Sequence, residues 1–252
     1  MSSLLLQTAL VVFLILEFSP CLAEKLVRYG QGNQMIDTCQ LNLTQDRVRM
    51  FWRAPDGSVF GNFAHLADWL LERNEKLICA TNGGIYGKDL RPIGLYVEEG
   101  QVLRKLNTRK TAYGNFYLQP NGIFLLSDKK AEILSTDELA SEFDRRRPSI
   151  RFATQSGPIL LKNGQINPLF TPGSDNRVAR NAVCLVTATR IDLVKSRAPI
   201  DFYDFARLMR DLLECRDALY MDGSISQLYP YDDGRFGPSF ATIIGVTAPA
   251  EQ

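Results

Sequence analysis

Three segments of the chain place a glycine-containing turn between two runs of strand-forming residues, which is the pattern of a β-hairpin. They are PIGLYVEEGQVLRKL, NFYLQPNGIFLLSD and GPILLKNGQINPLF. Their predicted turns fall at Glu99-Gly100, Asn121-Gly122 and Asn163-Gly164. Because a hairpin joins neighbouring antiparallel strands, this pattern predicts a largely antiparallel or mixed sheet with several hairpins.

Helical patterns lie between the predicted strands. The segment FAHLADWLLERNEK carries Phe63, Leu66 and Leu70 on one helical face. The segment STDELASEF opens with a capping-box pattern from Ser135 to Glu138, and IDFYDFARLMRDLLE is a third helical segment. Because these three or so helices do not alternate regularly with the strands, we predict an α+β fold and not a doubly wound one.

The N-terminal segment resembles a secretory leader. An apolar run at 9–16 is too short to span a bilayer comfortably, and a small-residue cleavage site follows at 21–23. Against this reading, no Lys or Arg precedes Lys25. We expect a signal peptide at 1–23, one domain at 24–252, a periplasmic or secreted location, and no stable membrane insertion once the leader is removed.

The overall composition excludes several kinds of partner. The chain is 45% hydrophobic and 23% charged, which is ordinary for a globular protein. Its formal net charge is +1, and the basic residues are spread along the chain. A nucleic-acid surface needs a clustered basic patch, so we expect no nucleic-acid partner.

Four cysteines follow the predicted leader, namely Cys39, Cys79, Cys184 and Cys215. Four cysteines permit three pairings, among which sequence alone does not choose. An oxidising compartment would favour disulfide formation. The chain has no CxxC motif and a single histidine, His65, so we predict no metal site built from these cysteines.

Candidate chemistry lies where three apolar strands end in small and polar residues. Glycine lets a backbone approach a ligand closely, and exposed N–H groups there bind anionic oxygens. One such segment alone fits an ordinary turn, whereas three together favour a ligand site. The segments are Thr81-Asn82-Gly83-Gly84, Thr154-Gln155-Ser156-Gly157-Pro158 and Asp222-Gly223-Ser224-Ile225-Ser226.

Two arginines precede another apolar strand. The segment SDNRVARNAV contains Arg177 and Arg180. A guanidinium offers a planar fork that matches phosphate or carboxylate geometry, although a solvated surface pair is the simpler interpretation. Arg180 is the stronger candidate because it stands at the start of the strand.

These segments, in this order, resemble the phosphodiester glycosidase family. The matching residues are TNGGIY, GNFYLQPNGIF, ATQSGPILLKNGQIN, RVARNAV and ALYMDGSIS, and the resemblance extends from roughly Val48 to the C-terminus. It implies hydrolysis between a sugar's anomeric carbon and a phosphodiester oxygen, with a sugar-1-phosphodiester or phosphate-linked glycan as partner. This chain reads Asp222-Gly223-Ser224 where the animal enzyme is expected to read Asp-Gly-Gly, which weakens any transfer of substrate.

The leaving group shapes the predicted mechanism. Ordinary glycosidases use two carboxylates, but phosphate leaves as a stable anion and needs cationic and N–H stabilisation more than a proton. We expect Asp222 to act as base or nucleophile. We expect Arg180, Asn82 and the amides of Gly83 and Gly84 to hold the phosphate, and Ser156, Gly157, Gly223 and Ser224 to line the sugar pocket. No metal ligand is assigned and the sequence requires no cofactor, although it does not exclude a bound divalent ion.

Two other functions fit the same residues less well. A non-catalytic protein that binds envelope polysaccharide would keep the fold and bind glycan without turnover. A metal-dependent phosphodiesterase would cut P–O instead of C–O, and it would need a carboxylate cluster with metal-ligand spacing. The structural alternatives for single residues are a turn aspartate at Asp222 and a turn former at Asn82.

Overall fold

The computed structural model describes residues 25–222, 224–233, 235 and 237–250. The predicted leader at 1–23 and the candidate site residue Gly223 lie outside the described residues. Three α-helices occur in the described part, and strands are far more numerous. The α+β class predicted from the sequence is confirmed.

The helices are α1 (Phe63–Leu71), α2 (Thr136–Arg146) and α3 (Phe202–Leu213). The capping box predicted for α2 is confirmed. The Ser135 hydroxyl accepts from the Glu138 N–H, and the Glu138 carboxylate accepts from the Ser135 N–H. None of the helices in the described part of the chain has the length and apolar character to cross a membrane.

The strands follow one another in short segments. In chain order they are β1 (Leu26–Gln31), β2 (Gln34–Asn42), β3 (Arg47–Phe51), β4 (Glu75–Asn82), β5 (Tyr96–Glu98), β6 (Gln101–Arg104), β7 (Gly122–Leu126), β8 (Ala131–Ser135), β9 (Phe152–Ser156), β10 (Ile159–Lys162), β11 (Gln165–Ile166), β12 (Asn181–Leu185), β13 (Arg190–Ser196), β14 (Asp217–Tyr220), β15 (Leu228–Tyr229) and β16 (Ile243–Pro249).

These strands form three sheets. The seven-stranded sheet has the order β1-β2-β13-β12-β14-β10-β11, the four-stranded sheet β15-β4-β16-β3, and the five-stranded sheet β6-β5-β9-β7-β8. The strand pairs within these sheets are antiparallel. Antiparallel pairing allows short connections, as the hairpin patterns in the sequence predicted.

Two of the predicted hairpin turns are confirmed, at Glu99-Gly100 and Asn163-Gly164. Glu99 and Asn163 both adopt positive φ, 47° and 50°. The turn predicted at Asn121-Gly122 is wrong, because Gly122 begins β7 and this hairpin turns at 127–130. Asn121 is buried and its side-chain amide donates to the Phe116 carbonyl (3.1 Å), so it holds the preceding loop instead of forming a turn.

The core has a central part and three outer parts. One apolar cluster joins residues of all three sheets, among them Leu193, Phe124 and Val246. Each helix then covers the other face of one sheet: α3 packs on the seven-stranded sheet, α1 on the four-stranded sheet and α2 on the five-stranded sheet. The sheets therefore share one core, and strand ends from different sheets meet at its edge.

Two disulfides reinforce this packing. Cys39 on β2 bonds to Cys79 on β4, which joins the seven-stranded sheet to the four-stranded sheet. Cys184 on β12 bonds to Cys215, which follows α3. All four cysteines that follow the predicted leader are thus used in cross-links between separate elements.

Candidate active site

The ends of β4 and β14 are joined through the side chain of Asn181, the first residue of β12. Its Nδ2 donates to Thr81 Oγ1 (2.8 Å), to the Asn82 carbonyl (2.8 Å) and to Asn82 Oδ1 (3.0 Å). Its Oδ1 accepts from the backbone N–H of Asp222 (3.1 Å). Asn181 is completely buried, so these bonds are shielded from water and fix Asp222 relative to β4.

Asn82 holds the loop that follows Asp222. Its Nδ2 donates to the Ile225 carbonyl (2.6 Å), and its Oδ1 accepts from the Gln227 N–H (2.9 Å). Asn82 is completely buried. Its side chain therefore holds the 225–227 segment from beneath, and the hydrogen bonds that it makes are to protein segments around Asp222.

Ser156 ties the end of β9 to the same place. Its hydroxyl donates to the Met221 carbonyl (2.7 Å) and accepts from the Ile85 N–H (3.4 Å). The adjacent Gly157 is buried, and a Cβ there would lie 2.7 Å from the Cβ of Asn121. Glycine is therefore required at 157 by packing between two backbone segments.

The glycine pair after β4 packs tightly against two other strands. A Cβ on Gly83 would lie 2.3 Å from Thr242 Oγ1, and a Cβ on Gly84 would lie 2.7 Å from the Gln155 carbonyl. The Gly83 N–H donates to the Thr242 carbonyl (2.7 Å). This bond differs from the expectation that the Gly83 amide faces a phosphate, because the donor is already used just beyond the end of β4, by the residue that precedes β16.

Asp222 lies where these strand ends meet. It is 5% exposed, and its Oδ1 accepts from the Ser224 N–H (3.0 Å). Its carbonyl accepts from the Ser226 hydroxyl (2.7 Å). The carboxylate thus also organises the turn that follows it, and Ser224 is exposed at the outside of that turn.

The charge of Asp222 acts on two tyrosines, Tyr86 and Tyr220. Burial and, as a smaller cause, the negative charge of Asp222 together raise the pKa of Tyr86 to about 12. The pKa of Tyr220 is also raised to about 12, mainly by burial and additionally by Asp222. Both hydroxyls therefore stay protonated near neutral pH, and both lie within electrostatic reach of one carboxylate.

Arg180 stands behind Tyr220. Its Nε donates to the Ile200 carbonyl (2.7 Å), its Nη2 to the Asn176 carbonyl (2.7 Å) and its Nη1 to the Tyr220 hydroxyl (3.3 Å). The guanidinium carbon lies 3.7 Å from the centre of the Phe202 ring, and burial lowers the arginine pKa. Arg180 was expected to contact phosphate directly, but this completely buried side chain reaches the site through Tyr220.

Sequence reasoning missed Asn181, Tyr86 and Tyr220. All three lie inside the segments that carried the family resemblance, and Tyr220 precedes Asp222 by two positions, which places it on the same side of an extended chain. That spacing was the available signal. Within the described ranges, no group of three or more His, Cys, Asp and Glu side chains is arranged to hold a metal ion.

Residues 75–248 match the phosphodiester glycosidase family. This match spans more than half of the chain, so the chain belongs to the phosphodiester glycosidase family. It is also 35% identical over 190 residues to the uncharacterized protein YigE of Escherichia coli strain K12, which covers 75% of this chain and 72% of YigE.

Two solved structures share the fold. One is the catalytic domain of zebrafish N-acetylglucosamine-1-phosphodiester alpha-N-acetylglucosaminidase, auto-inhibited by its pro-peptide, with a TM-score of 0.57, 13% identity, and coverage of 88% of this chain and 81% of that one. The other is a hypothetical protein from Synechocystis, with a TM-score of 0.56, 12% identity, and coverage of 88% and 61%.

Proposed function

We propose that the protein hydrolyses a sugar 1-phosphodiester at the bond between the anomeric carbon and the phosphodiester oxygen, with Asp222 as base or nucleophile. The observation that carries this proposal is the placement of Asp222. A nearly buried carboxylate stands where ends of three sheets are hydrogen-bonded together, and its charge acts on two tyrosines that keep their protons.

The reaction has two balanced routes at Asp222. As a nucleophile, the carboxylate oxygen bonds to the anomeric carbon while the C–O bond to phosphate breaks, and the electron pair leaves with the phosphomonoester. Water then hydrolyses the glycosyl ester. As a base, Asp222 takes a proton from water, whose oxygen bonds to the anomeric carbon as phosphate leaves.

The departing phosphate gains negative charge, which a nearby positive charge stabilises. Arg180 and Tyr220 are both completely buried, and the Arg180 guanidinium donates to the Tyr220 hydroxyl (3.3 Å). We propose that this pair supports the site from behind: Arg180 positions Tyr220, and its charge stabilises the leaving phosphate at a distance instead of by contact.

Some of the remaining candidate residues hold the site together, and others are proposed to contact the substrate. Asn82, Ser156, Gly83 and Gly157 support the site, since each bonds or packs against the segments around Asp222. Ser224 is exposed close to Asp222 in the chain, and we propose that it faces the sugar. Gly223, which lies outside the described residues, stays a predicted sugar-binding residue. Gly84 keeps its proposed place beside the phosphate.

The name of the zebrafish relative suggests N-acetylglucosamine 1-(methyl phosphate) as a first substrate. We expect Asp222→Asn to lower kcat by about a thousandfold or more while the fold is kept. Asp175→Asn is the matched control, because Asp175 is an exposed aspartate outside the site. Unchanged turnover in Asp222→Asn would remove this residue from the mechanism.

Isotope labelling separates the reaction classes. In ¹⁸O-labelled water, cleavage at the anomeric carbon places the label in the sugar, whereas cleavage at phosphorus places it in the phosphate. Label in the phosphate, with loss of activity on chelation, would support the metal-dependent phosphodiesterase instead. Glycan binding without any turnover would support the non-catalytic polysaccharide-binding protein.

We further propose that the protein acts in the periplasm or after secretion. The two disulfides support this location, since such bonds persist in oxidising compartments. The apolar segment at 9–16 points the same way. Fractionation of cells that produce a C-terminally tagged chain tests the proposal, and recovery in the reducing cytoplasm with free thiols would contradict it.

A further inference from the structure

A short segment at the end of β6 carries three cations that no carboxylate neutralises. Arg104, Lys105 and Arg109 line one open groove of about 690 Å³, which we call the basic groove. Among the residues that the structure describes, none of these three forms an ion pair, whereas the neighbouring Lys110 pairs with Asp137. The other residues that line the basic groove are Ile93, Leu103, Leu106, Asn107 and Thr108.

The positive charge of the basic groove is not balanced by its own part of the chain. The sequence contains no Asp or Glu from Gly100 to Ser127. The residues that line the groove include three cations and no acid. A concave surface with charges of one sign concentrates ions of the opposite sign, so the groove attracts anions.

The segment that carries these cations is fixed, although it is irregular. The buried Gln155 holds Asn107 from both sides: its Oε1 accepts from the Asn107 N–H (3.0 Å), and its Nε2 donates to the Asn107 carbonyl (2.8 Å). The Asn107 side chain also donates to the Ile93 carbonyl (3.3 Å). The basic groove is therefore preformed, and an anion that binds there orders little of the protein.

The two arginines keep donors for a ligand. The Arg104 Nε donates to the Pro92 carbonyl (3.1 Å), and the Arg109 Nε donates to the Thr111 carbonyl (2.9 Å). These bonds orient the guanidinium groups and leave their Nη atoms available. Because a guanidinium matches the geometry of phosphate oxygens, and Lys105 adds a third charge, the groove suits a ligand with several phosphate groups.

The shape of the basic groove separates the possible polyanions. None of the side chains that line it is aromatic, so it lacks the surface on which single-stranded nucleic acids stack their bases. A bilayer presents a broad surface, whereas these cations share a groove. A flexible phosphate-bearing chain lies along such a groove more readily than either.

The basic groove and the residues that hold Asp222 lie at the same edge of the five-stranded sheet. Arg104, at the end of β6, pairs with Tyr96 of β5, and Tyr96 pairs with Thr154 of β9. Two residues further along β9, the Ser156 hydroxyl donates to the carbonyl of Met221, which precedes Asp222. A polymer bound in the groove is therefore held on the side of the molecule where these strand ends meet.

We infer that the basic groove is a binding site for a polymer that carries several phosphate groups. This inference concerns binding alone, and it goes beyond the proposed function without depending on it. Arg104, Lys105 and Arg109 contact the phosphates, and the buried Gln155 holds the segment in the shape that brings these cations together.

Inorganic tripolyphosphate is the probe, and calorimetry in metal-free buffer measures its binding to the full chain. We expect the double variant Lys105→Gln/Arg109→Gln to weaken binding by about tenfold or more, because two charge-assisted contacts are lost. Added salt should weaken binding to the original chain more than binding to the variant. Lys105→Glu, at an exposed side chain, should weaken binding as well and leaves the segment's own hydrogen bonds untouched.

Lys129→Gln/Lys130→Gln is the matched control. It removes the same charge from two exposed lysines in the turn between β7 and β8, at the opposite edge of the same sheet. Its affinity for tripolyphosphate should equal that of the original chain. Both double variants should keep the original circular dichroism spectrum and any turnover of N-acetylglucosamine 1-(methyl phosphate).

Two further probes decide the class of ligand. A glutamate oligomer of equal net charge should bind clearly more weakly than tripolyphosphate, and equal binding would overturn the assignment to phosphate. Binding to phosphatidylglycerol vesicles that Lys105→Gln/Arg109→Gln abolishes, without binding of tripolyphosphate, would identify a lipid surface instead.

The inference and the proposed function fail separately. Tripolyphosphate binding that Lys105→Gln/Arg109→Gln retains in full would place the phosphates outside the basic groove and overturn the inference. The absence of binding in a chain that hydrolyses the methyl diester would overturn the inference alone. Binding that depends on the two cations, in a chain without turnover, would support the inference while the proposed function fails.

Discussion

Asn181 holds the backbone of Asp222 in place, since its Oδ1 accepts the Asp222 N–H at 3.1 Å while its Nδ2 bonds to the end of β4. One buried amide thus connects two sheets directly behind the proposed reactive carboxylate. The backbone that follows this apolar strand is therefore fixed by a completely buried neighbour.

Removing that amide should reduce stability and activity together. Asn181→Ala leaves the Thr81 hydroxyl and the Asp222 N–H without this buried partner, which we expect to lower the free energy of unfolding by roughly 2–4 kcal/mol. Urea denaturation measures the loss. Gln45→Ala, an exposed amide on the surface, should change it by less than about 0.5 kcal/mol. Equal effects of the two variants would contradict the role given to Asn181.

The hydroxyls of the two tyrosines should contribute differently to kcat. We expect Tyr220→Phe to lower kcat by roughly tenfold with a smaller change in KM, because the Arg180 guanidinium loses its hydroxyl partner behind the site. Tyr86→Phe should have a smaller effect, because the Tyr86 hydroxyl already donates to the Ser239 carbonyl (3.1 Å). Tyr220→Phe should also be less stable, since it leaves Arg180 Nη1 short of an acceptor. Tyr113→Phe, at a fully exposed tyrosine, is the control, and steady-state kinetics give the result.

Stability should decline as pH rises from about 4 to 8. Asp192 is completely buried, and burial raises its pKa from 3.8 to about 7, against a smaller opposite effect of Arg190. A carboxyl with a raised pKa in the folded state stabilises that state while protonated, and this contribution is lost as pH rises through the folded value.

Thermal unfolding at pH 5 and at pH 8 measures this dependence. We expect a higher Tm at pH 5 in the original chain and a clearly smaller difference in Asp192→Asn, which stays neutral throughout. Glu98, whose pKa burial also raises, should supply part of the slope that remains. If Tm depended on pH equally strongly in Asp192→Asn, groups other than Asp192 would be responsible for the pH dependence.

The disulfide between the seven-stranded and four-stranded sheets should be a major source of stability. It closes a 40-residue separation between Cys39 and Cys79. Chain-entropy arguments give roughly 3–4 kcal/mol for a loop of this length. The double variant Cys39→Ala/Cys79→Ala should therefore unfold at clearly lower urea concentration. A reducing agent should lower the free energy of unfolding of this variant by less than it lowers that of the original chain.

Local patterns predicted the fold class well, because capping boxes and tight turns depend on neighbouring residues. The α2 capping box and the Glu99-Gly100 turn are of this kind. Asn121-Gly122 carried the same turn signal but lies buried, where tertiary contacts with Phe116 decide the backbone instead. Strands β1 and β2, which pair with each other, were missed, and the pairing of β2 with β13 is set by residues far away in the chain.

The sequence predicted which segments form the candidate site, but it predicted the roles of the individual residues less well. Glycine-rich strand ends marked where backbones approach one another. Nothing local indicated that Arg180 would be covered by Phe202 and Tyr220, or that Gly83 would donate to Thr242. Those facts depend on which elements pack together, and sequence spacing within one segment does not contain that information.

Gly83 and Thr242 give the sharpest test of that packing. A Cβ at 83 would lie 2.3 Å from Thr242 Oγ1, so Gly83→Ala should lower the free energy of unfolding by roughly 1–3 kcal/mol. Thr242→Ala removes this oxygen atom, which is buried and has no hydrogen-bond partner among the described residues. The double variant should therefore recover much of the loss, and a double-mutant cycle in urea measures the coupling.

Gly87→Ala, where the nearest atom is a side-chain oxygen of Asp89 at 3.1 Å, is the control. Simple additivity of the two substitutions would show that the Thr242 hydroxyl is not the atom that limits this position, and would point to the Thr242 carbonyl, 3.3 Å from the added Cβ, instead.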